Sequence, residues 1–233
     1  MMNQNKRLVY EVKDLKKVRG NRTILQIGRL EIHPGTIYGI VGTVGSGKTT
    51  LLKIMCGKEK ETSGVLKYDN EPFSKDWFGK IKSNDDILLA SVLELQEKLS
   101  AHQLMKSLYP NKHESIYEKH FANTSLKPLW DQTISKYSPG EKICLNNIIA
   151  VSGDPRVLLV DDYGTKLDNK MEFEFRKNLV KMNKELGTTI IAASSDDFHL
   201  KKFAAVLIYV DNGHISKIRP GKIRNKDKYS LRR

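Results

Sequence analysis

From residue 42 to residue 49 the chain reads Gly-Thr-Val-Gly-Ser-Gly-Lys-Thr, which fits G-x-x-x-x-G-K-[ST] at every fixed position. Glycines let consecutive backbone N–H groups turn inward, and such a nest of amides cradles phosphate oxygens. Lys48 is placed to reach the β- and γ-phosphates of a nucleoside triphosphate, and Thr49 to put its hydroxyl on Mg²⁺. Gly42, Thr43, Val44, Gly45, Ser46, Gly47, Lys48, Thr49 and Thr50 are therefore candidate nucleotide-binding residues. The flanks suit the chemistry. Residues 37–41 form a short apolar run read as a buried strand, and residues 49–56 a helical pattern stopped by Gly57. That order points a helix N-terminus, with its positive end, at the phosphates.

A second pair of residues gains meaning from the first. Asp161 and Asp162 follow the apolar run 157–160. An Asp-Asp pair after a strand is by itself a turn or a helix cap. With a phosphate loop upstream, Asp161 at a strand's C-terminal end can hold the Mg²⁺ shell, and Asp162 is placed to orient an attacking water.

These groups need a frame. The opening reads as short antiparallel strands at 8–12, 23–25 and 30–32, separated by turns such as Gly20-Asn21 and Pro34-Gly35. Residues 92–150 read as mostly helical, with Leu93, Leu95, Leu99, Leu104 and Leu108 on amphipathic helices broken near Pro110 and Pro128. Buried strands then return at 157–160, 189–193 and 205–210, with a helix over 173–186 between the first two. Strand–helix alternation predicts an α/β fold with a largely parallel sheet. The expected organisation is a single domain over 1–233: a core of about 1–90 and 151–218, a helical subdomain of about 91–150, and a basic tail at 219–233.

Composition bounds the function. Apolar residues at 39% and charged residues at 29% suit a globular protein, and no stretch approaches a membrane span. The start lacks the apolar region of a signal peptide. Two cysteines, Cys56 and Cys144, are too few for a disulfide framework or a zinc site, so a reducing cytoplasm is expected. The net charge of +13 calls for an anionic partner, whether nucleotide, nucleic acid or acidic membrane, or is a solvated basic surface.

From about residue 8 to residue 218 the chain resembles the ABC ATPase family. Residues 34–42 look like that family's lead into the phosphate loop, and residues 63–66 like the strand after it. Tyr137-Ser138-Pro139-Gly140-Glu141 stands where the family has its LSGGQ signature. The chain then runs without a gap to Gly153-Asp154-Pro155 and the Asp161 strand, a spacing that matches the family. Residues 165–168 resemble the D-loop, and 211–215 the closing hairpin. The resemblance implies a P-loop NTPase (RecA-like) core with a mostly parallel sheet, an N-terminal antiparallel β subdomain and an inserted α-helical subdomain. It also implies a dimer, homodimer or heterodimer, in which ATP lies between one chain's phosphate loop and Ser138 and Gly140 of the other.

Several positions depart from the family. Pro139 replaces the first signature glycine and lacks an N–H, so a backbone donor is expected to be missing. Glu141 replaces glutamine. The catalytic glutamate falls on Asp162, one methylene shorter, and a misplacement of ~1 Å can cost ~100-fold in rate. The switch histidine falls on Ser195, which has neither the charge nor the length of imidazole. His199 lies four residues on and is expected to be an exposed helix residue. The Q-loop glutamine, a metal position, falls near Ser91, with Gln96 too far along. The adenine-stacking aromatic falls near Val18. Arg19 beside it could stack on a base, whereas Val18 could only pack. Together these imply slow hydrolysis, and a partner with intact motifs would repair neither composite site fully.

The resulting expectation is an ATP- and Mg²⁺-binding motor subunit of an ABC transporter, peripheral at the cytoplasmic face and bound to integral-membrane subunits. Two alternatives stay open: a soluble ABC-type ATPase acting on nucleic acid or the ribosome, and a subunit that senses nucleotide without hydrolysis. The basic surface leaves room for contact with anionic lipid or nucleic acid.

Overall fold

The computed structural model describes residues 7–74, 76–77, 81–82, 84–90, 95–165 and 167–221. Its first sheet comes from side-chain alternation. In β1 (Tyr10–Arg19), Tyr10, Val12 and Leu15 are fully buried while Lys13 and Asp14 face outward. β2 (Arg22–Ile32) is one continuous strand rather than the two short ones expected. Gly28 interrupts the apolar pattern but not the pairing, because the ladder to β1 runs through it from Leu15↔Ile27 to Lys13↔Arg29. A bulge between Lys17 and Val18 sharpens the twist near the hairpin tip. β4 (Ser63–Tyr68) pairs with β1 on its other side and β5 (Glu71–Pro72) with β4, so this sheet is antiparallel in the order β2-β1-β4-β5.

The second sheet has the order β10-β9-β3-β8-β7-β6. β3 (Ile37–Val41), β6 (Ile87–Ala90), β7 (Val157–Val160), β8 (Thr189–Ser194) and β9 (Val206–Asp211) are parallel, and β10 (His214–Pro220) closes the edge antiparallel to β9. Every residue of β3, β7 and β8 is buried, as expected of parallel strands covered on both faces. One apolar cluster joins both sheets to α1 (Lys48–Met55), and a second lies under α5 (Asn169–Leu186). The buried Tyr10 hydroxyl donates to Met55 O at 2.9 Å and fastens the first sheet to the end of α1.

The inserted helical layer is α2 (Ala101–Leu108), α3 (His113–His120) and α4 (Pro139–Ser152), packed around Met105, Phe121, Trp130, Ile134 and Leu145. It begins later than the sequence pattern suggests. Leu95 and Leu99 precede α2 in irregular chain and lean on this core, Leu108 is exposed, and Leu93 lies outside the described residues. Helix starts at Ser100 because its side chain and that of Gln103 form a capping box. Ala150 and Val151, late in α4, belong to the cluster under α5, so α4 joins the helical layer to the parallel sheet.

Candidate nucleotide site

Parallel pairing brings the C-terminal ends of β3, β7 and β8 together, and the candidate residues emerge there. Val41 is opposite Ser194, and Val160 is opposite Ala192. Gly42 donates its N–H to Ser194 O at 3.2 Å, which starts the phosphate loop against β8. The loop ends at Gly47, the N-cap of α1, with φ of 106°. A Cβ there would lie 2.5 Å from Leu25 Cδ2, so glycine is required on both backbone and packing grounds. Val44 is the exposed crest of the loop, while Ser46, Lys48 and Thr50 are buried.

Lys48 is folded into its own loop, where Nζ donates to Gly42 O at 2.6 Å and to Thr43 O at 2.9 Å. Burial pulls its pKa below the ordinary lysine value, and the nearby Asp162 and Asp161 carboxylates oppose that pull. Asp161 is pushed above the usual carboxylate range, first by burial. Its hydrogen bond with the Thr49 hydroxyl works the other way. A hydroxyl and a carboxylate are hard oxygen donors, and Mg²⁺ binds through one or two such groups plus substrate phosphates. The residues present fit MgATP, and Thr49 and Asp161 are the ones that would hold the metal.

Asp162 is exposed and has φ of 50°, a left-handed conformation that aspartate tolerates better than longer side chains. Its N–H donates to Asp161 Oδ1 at 3.1 Å. Ser195 follows β8, exposed, next to the start of the phosphate loop. It stands at the end of β8 with a short side chain. Ser91 lies outside the described residues.

Two expectations need correction. Val18 does not wall the groove that runs along Gly45, Gly47, Lys48, Thr49 and Thr50; Arg19, Arg22 and Ile24 do. Val18 N–H is instead used by Thr62 Oγ1 at 2.9 Å. His199 is not an exposed helix residue. Its side chain is tucked against Gly164, whose added Cβ would be 2.9 Å from the ring, and Nδ1 is 3.5 Å from Glu172 Oε2. It braces the loop after Asp162 from behind.

That brace is a buried network that sequence reading missed. Tyr163 donates its N–H to Ala193 O at 2.7 Å, accepts from Ser194 Oγ at 3.0 Å, and donates its hydroxyl to Glu172 Oε1 at 2.7 Å. Arg176 Nε donates to the same Glu172 oxygen at 3.0 Å. Burial alone would raise the pKa of Glu172, but Tyr163, Arg176 and His199 together hold it below the ordinary value. Beside this loop, Asn146 of α4 is buried with no hydrogen-bond partner for either amide atom.

Ser138 and Gly140 lie at the start of α4 and do not line the phosphate-loop groove of their own chain. Pro139 occupies N1, where proline is favoured because that N–H has no intrahelical partner. The helix is therefore intact, although the donor is still missing. Glu141 Oε2 accepts from Ser138 N–H at 2.7 Å, and Ser138 Oγ accepts from Glu141 N–H at 3.3 Å. The signature helix is thus capped by its own carboxylate.

The family model described as ABC transporter matches residues 25–164, more than half of the chain. The chain belongs to the ABC transporter family. Among curated relatives, the spermidine/putrescine import ATP-binding protein PotA of Bacillus thuringiensis (strain Al Hakam) is 26% identical over 224 residues, covering 94% of this chain and 68% of PotA. The methionine import ATP-binding protein MetN of Chlamydia felis is 30% identical over 228 residues, covering 91% of this chain and 66% of MetN. Among solved structures, a dimeric bacterial ABC transporter cassette superposes with a TM-score of 0.80 at 22% identity, over 91% of this chain and 98% of that one. CbiO1 of Clostridium perfringens, part of the ABC transporter complex cbiONQ, gives 0.76 at 23% identity, over 93% and 90%. The expected P-loop α/β fold is therefore the observed one.

Proposed function

We propose that this family member is the ATP-binding subunit of a transporter, taking MgATP at a dimer interface to drive separate integral-membrane subunits. The observation that carries the reading is the convergence of Lys48, Thr49 and Asp161 at the carboxyl ends of parallel strands. There the loop amides, the α1 N-terminus and Lys48 meet the phosphates. Thr49 and Asp161 would hold Mg²⁺, which, when bound, neutralises charge on the β- and γ-phosphate oxygens. No helix among the described residues is long and apolar enough to cross a membrane, so the transport path would belong to the partner subunits. The chain would then sit peripherally at the cytoplasmic face, with its basic surface suited to anionic headgroups. PotA and MetN are both named as import proteins for unlike substrates, which supports an importer whose substrate is chosen outside this subunit.

We further propose slow hydrolysis. Asp162 is short and left-handed, Ser195 stands at the switch position, and Glu141 places a carboxylate where the γ-phosphate of a partner's nucleotide would dock. The test is calorimetry with MgATP together with a phosphate-release assay on the purified chain. Binding with slow release supports both parts, brisk release overturns the second, and no binding at millimolar MgATP overturns the first.

A further inference from the structure

The loop that carries Asp162 is met from a second direction by α4. A cavity of about 60 Å³ lies between them, lined by Ile143, Asn146 and Asn147 of α4 and by the loop from Asp161 to Gly164. Spacings of three and four put those α4 residues on one face of the helix. Val160, Leu167 and Phe175 add an apolar wall. None of the phosphate-loop residues from Gly42 to Thr50 lines this cavity, so it is distinct from the groove along that loop. The Asp162 loop needs support. Asp162 has φ of 50°, and a left-handed residue other than glycine persists only where its surroundings hold it.

Core packing does not explain Asn146. It is only 4% exposed, and its neighbours along α4, Leu145, Ile148, Ile149 and Ala150, are buried and apolar. A primary amide offers two donors and two lone pairs. Neither Oδ1 nor Nδ2 of Asn146 meets a protein partner among the described residues. Leaving such a group unpaired in the interior is costly, and buried polar groups are satisfied by protein or by ordered water. The cavity has room for a short run of waters, and a buried water needs two to four polar partners. Asn146, Asn147, Asp161 and Asp162 all border it and carry such groups. Water is therefore the chemistry that joins the amide to the loop.

We propose that Asn146 is a positioning residue for hydrolysis: through ordered water in this cavity it holds the Asp162 loop in place from the α4 side. This water is not the attacking one. The proposal rests on the chain hydrolysing MgATP at the phosphate loop, and the tests separate the two. A crystal structure of the nucleotide-free chain is expected to show water about 3 Å from the Asn146 amide and from a polar group of residues 161–164. A dry cavity, or a direct protein partner for the amide, overturns the proposal. Asn146→Leu roughly keeps the volume and removes both hydrogen-bonding arms. It is expected to leave MgATP affinity within about twofold in calorimetry, to slow single-turnover phosphate release about tenfold, and not to raise the melting temperature. Asn146→Ser, whose hydroxyl can hold the same water, is expected to recover most of the rate. Release unchanged in Asn146→Leu, or as slow in Asn146→Ser as in Asn146→Leu, overturns the positioning role. So does a melting temperature raised by more than about 2 °C in Asn146→Leu, the mark of an amide with nothing to bond. A wild-type chain that binds MgATP without releasing phosphate overturns it as well, whereas one that binds no MgATP overturns the phosphate-loop reading itself.

Discussion

Lys48 holds two main-chain carbonyls of its own loop, and a nucleotide must exchange for them. Lys48→Ala is expected to abolish measurable ATP binding in calorimetry, since both the cation and its ordering of the loop are lost. Asp161 yields a prediction with a sign. Its pKa is raised in the fold, so the folded chain holds that proton more tightly than the unfolded chain. The group therefore favours folding in acid, and this contribution is lost as pH climbs through the raised value. At neutral pH the ionised carboxylate is a net cost. Asp161→Asn should raise the melting temperature of the nucleotide-free protein by about 2 °C near neutrality, with the gain shrinking toward pH 4. The same variant should lose Mg²⁺-dependent ATP binding. Both residues were legible because each sits in a contiguous motif whose spacing is itself the signal. Glu172 was not: it acts through a contact with Tyr163 that only the packing of α5 creates.

At the scale of elements, α4 shows how one substitution is absorbed and another is not. Pro139 falls at N1 and leaves the helix undisturbed. Glu141 completes a capping box, which stabilises the helix but sets a carboxylate at the end that would otherwise attract phosphate. Glu141→Gln keeps the reciprocal hydrogen bond and removes the charge. It is expected to raise ATP-dependent dimerisation several-fold by light scattering, with little change in monomer melting temperature; dimerisation unchanged or weaker would count against the competition. Local pattern marks some strands better than others for a physical reason. β3, β7 and β8 are wholly buried and read as plain apolar runs. β2 is half exposed, carries Gly28 mid-strand, and is held together by its ladder to β1 rather than by propensity. Likewise Leu95 and Leu99 match a helical spacing but lie before the cap that Ser100 provides.

Across the whole molecule, the order of strand and helix announced a parallel sheet, and the structure confirms it. How the two sheets are joined had no signature in the sequence. Gly213, at the β9–β10 turn, donates to Ser46 O at 3.0 Å and accepts from Gln26 N at 2.8 Å. Its φ is 79°, and a Cβ there would lie 2.4 Å from Ile24 O. Gly213→Ala is therefore expected to lower the melting temperature by several degrees, given ~1–2 kcal/mol for the left-handed backbone alone plus the clash. Amide exchange at Gln26 should quicken in that variant, and ATP affinity should fall with it.

One glycine thus serves as a keystone in which three strands and the anion cradle meet. The angle between the two sheets and the shape of the cradle are not independent variables. A ligand that stiffens Ser46 would tighten the seam beneath it, so nucleotide occupancy should be sensed across that seam, at Gln26 of the neighbouring sheet.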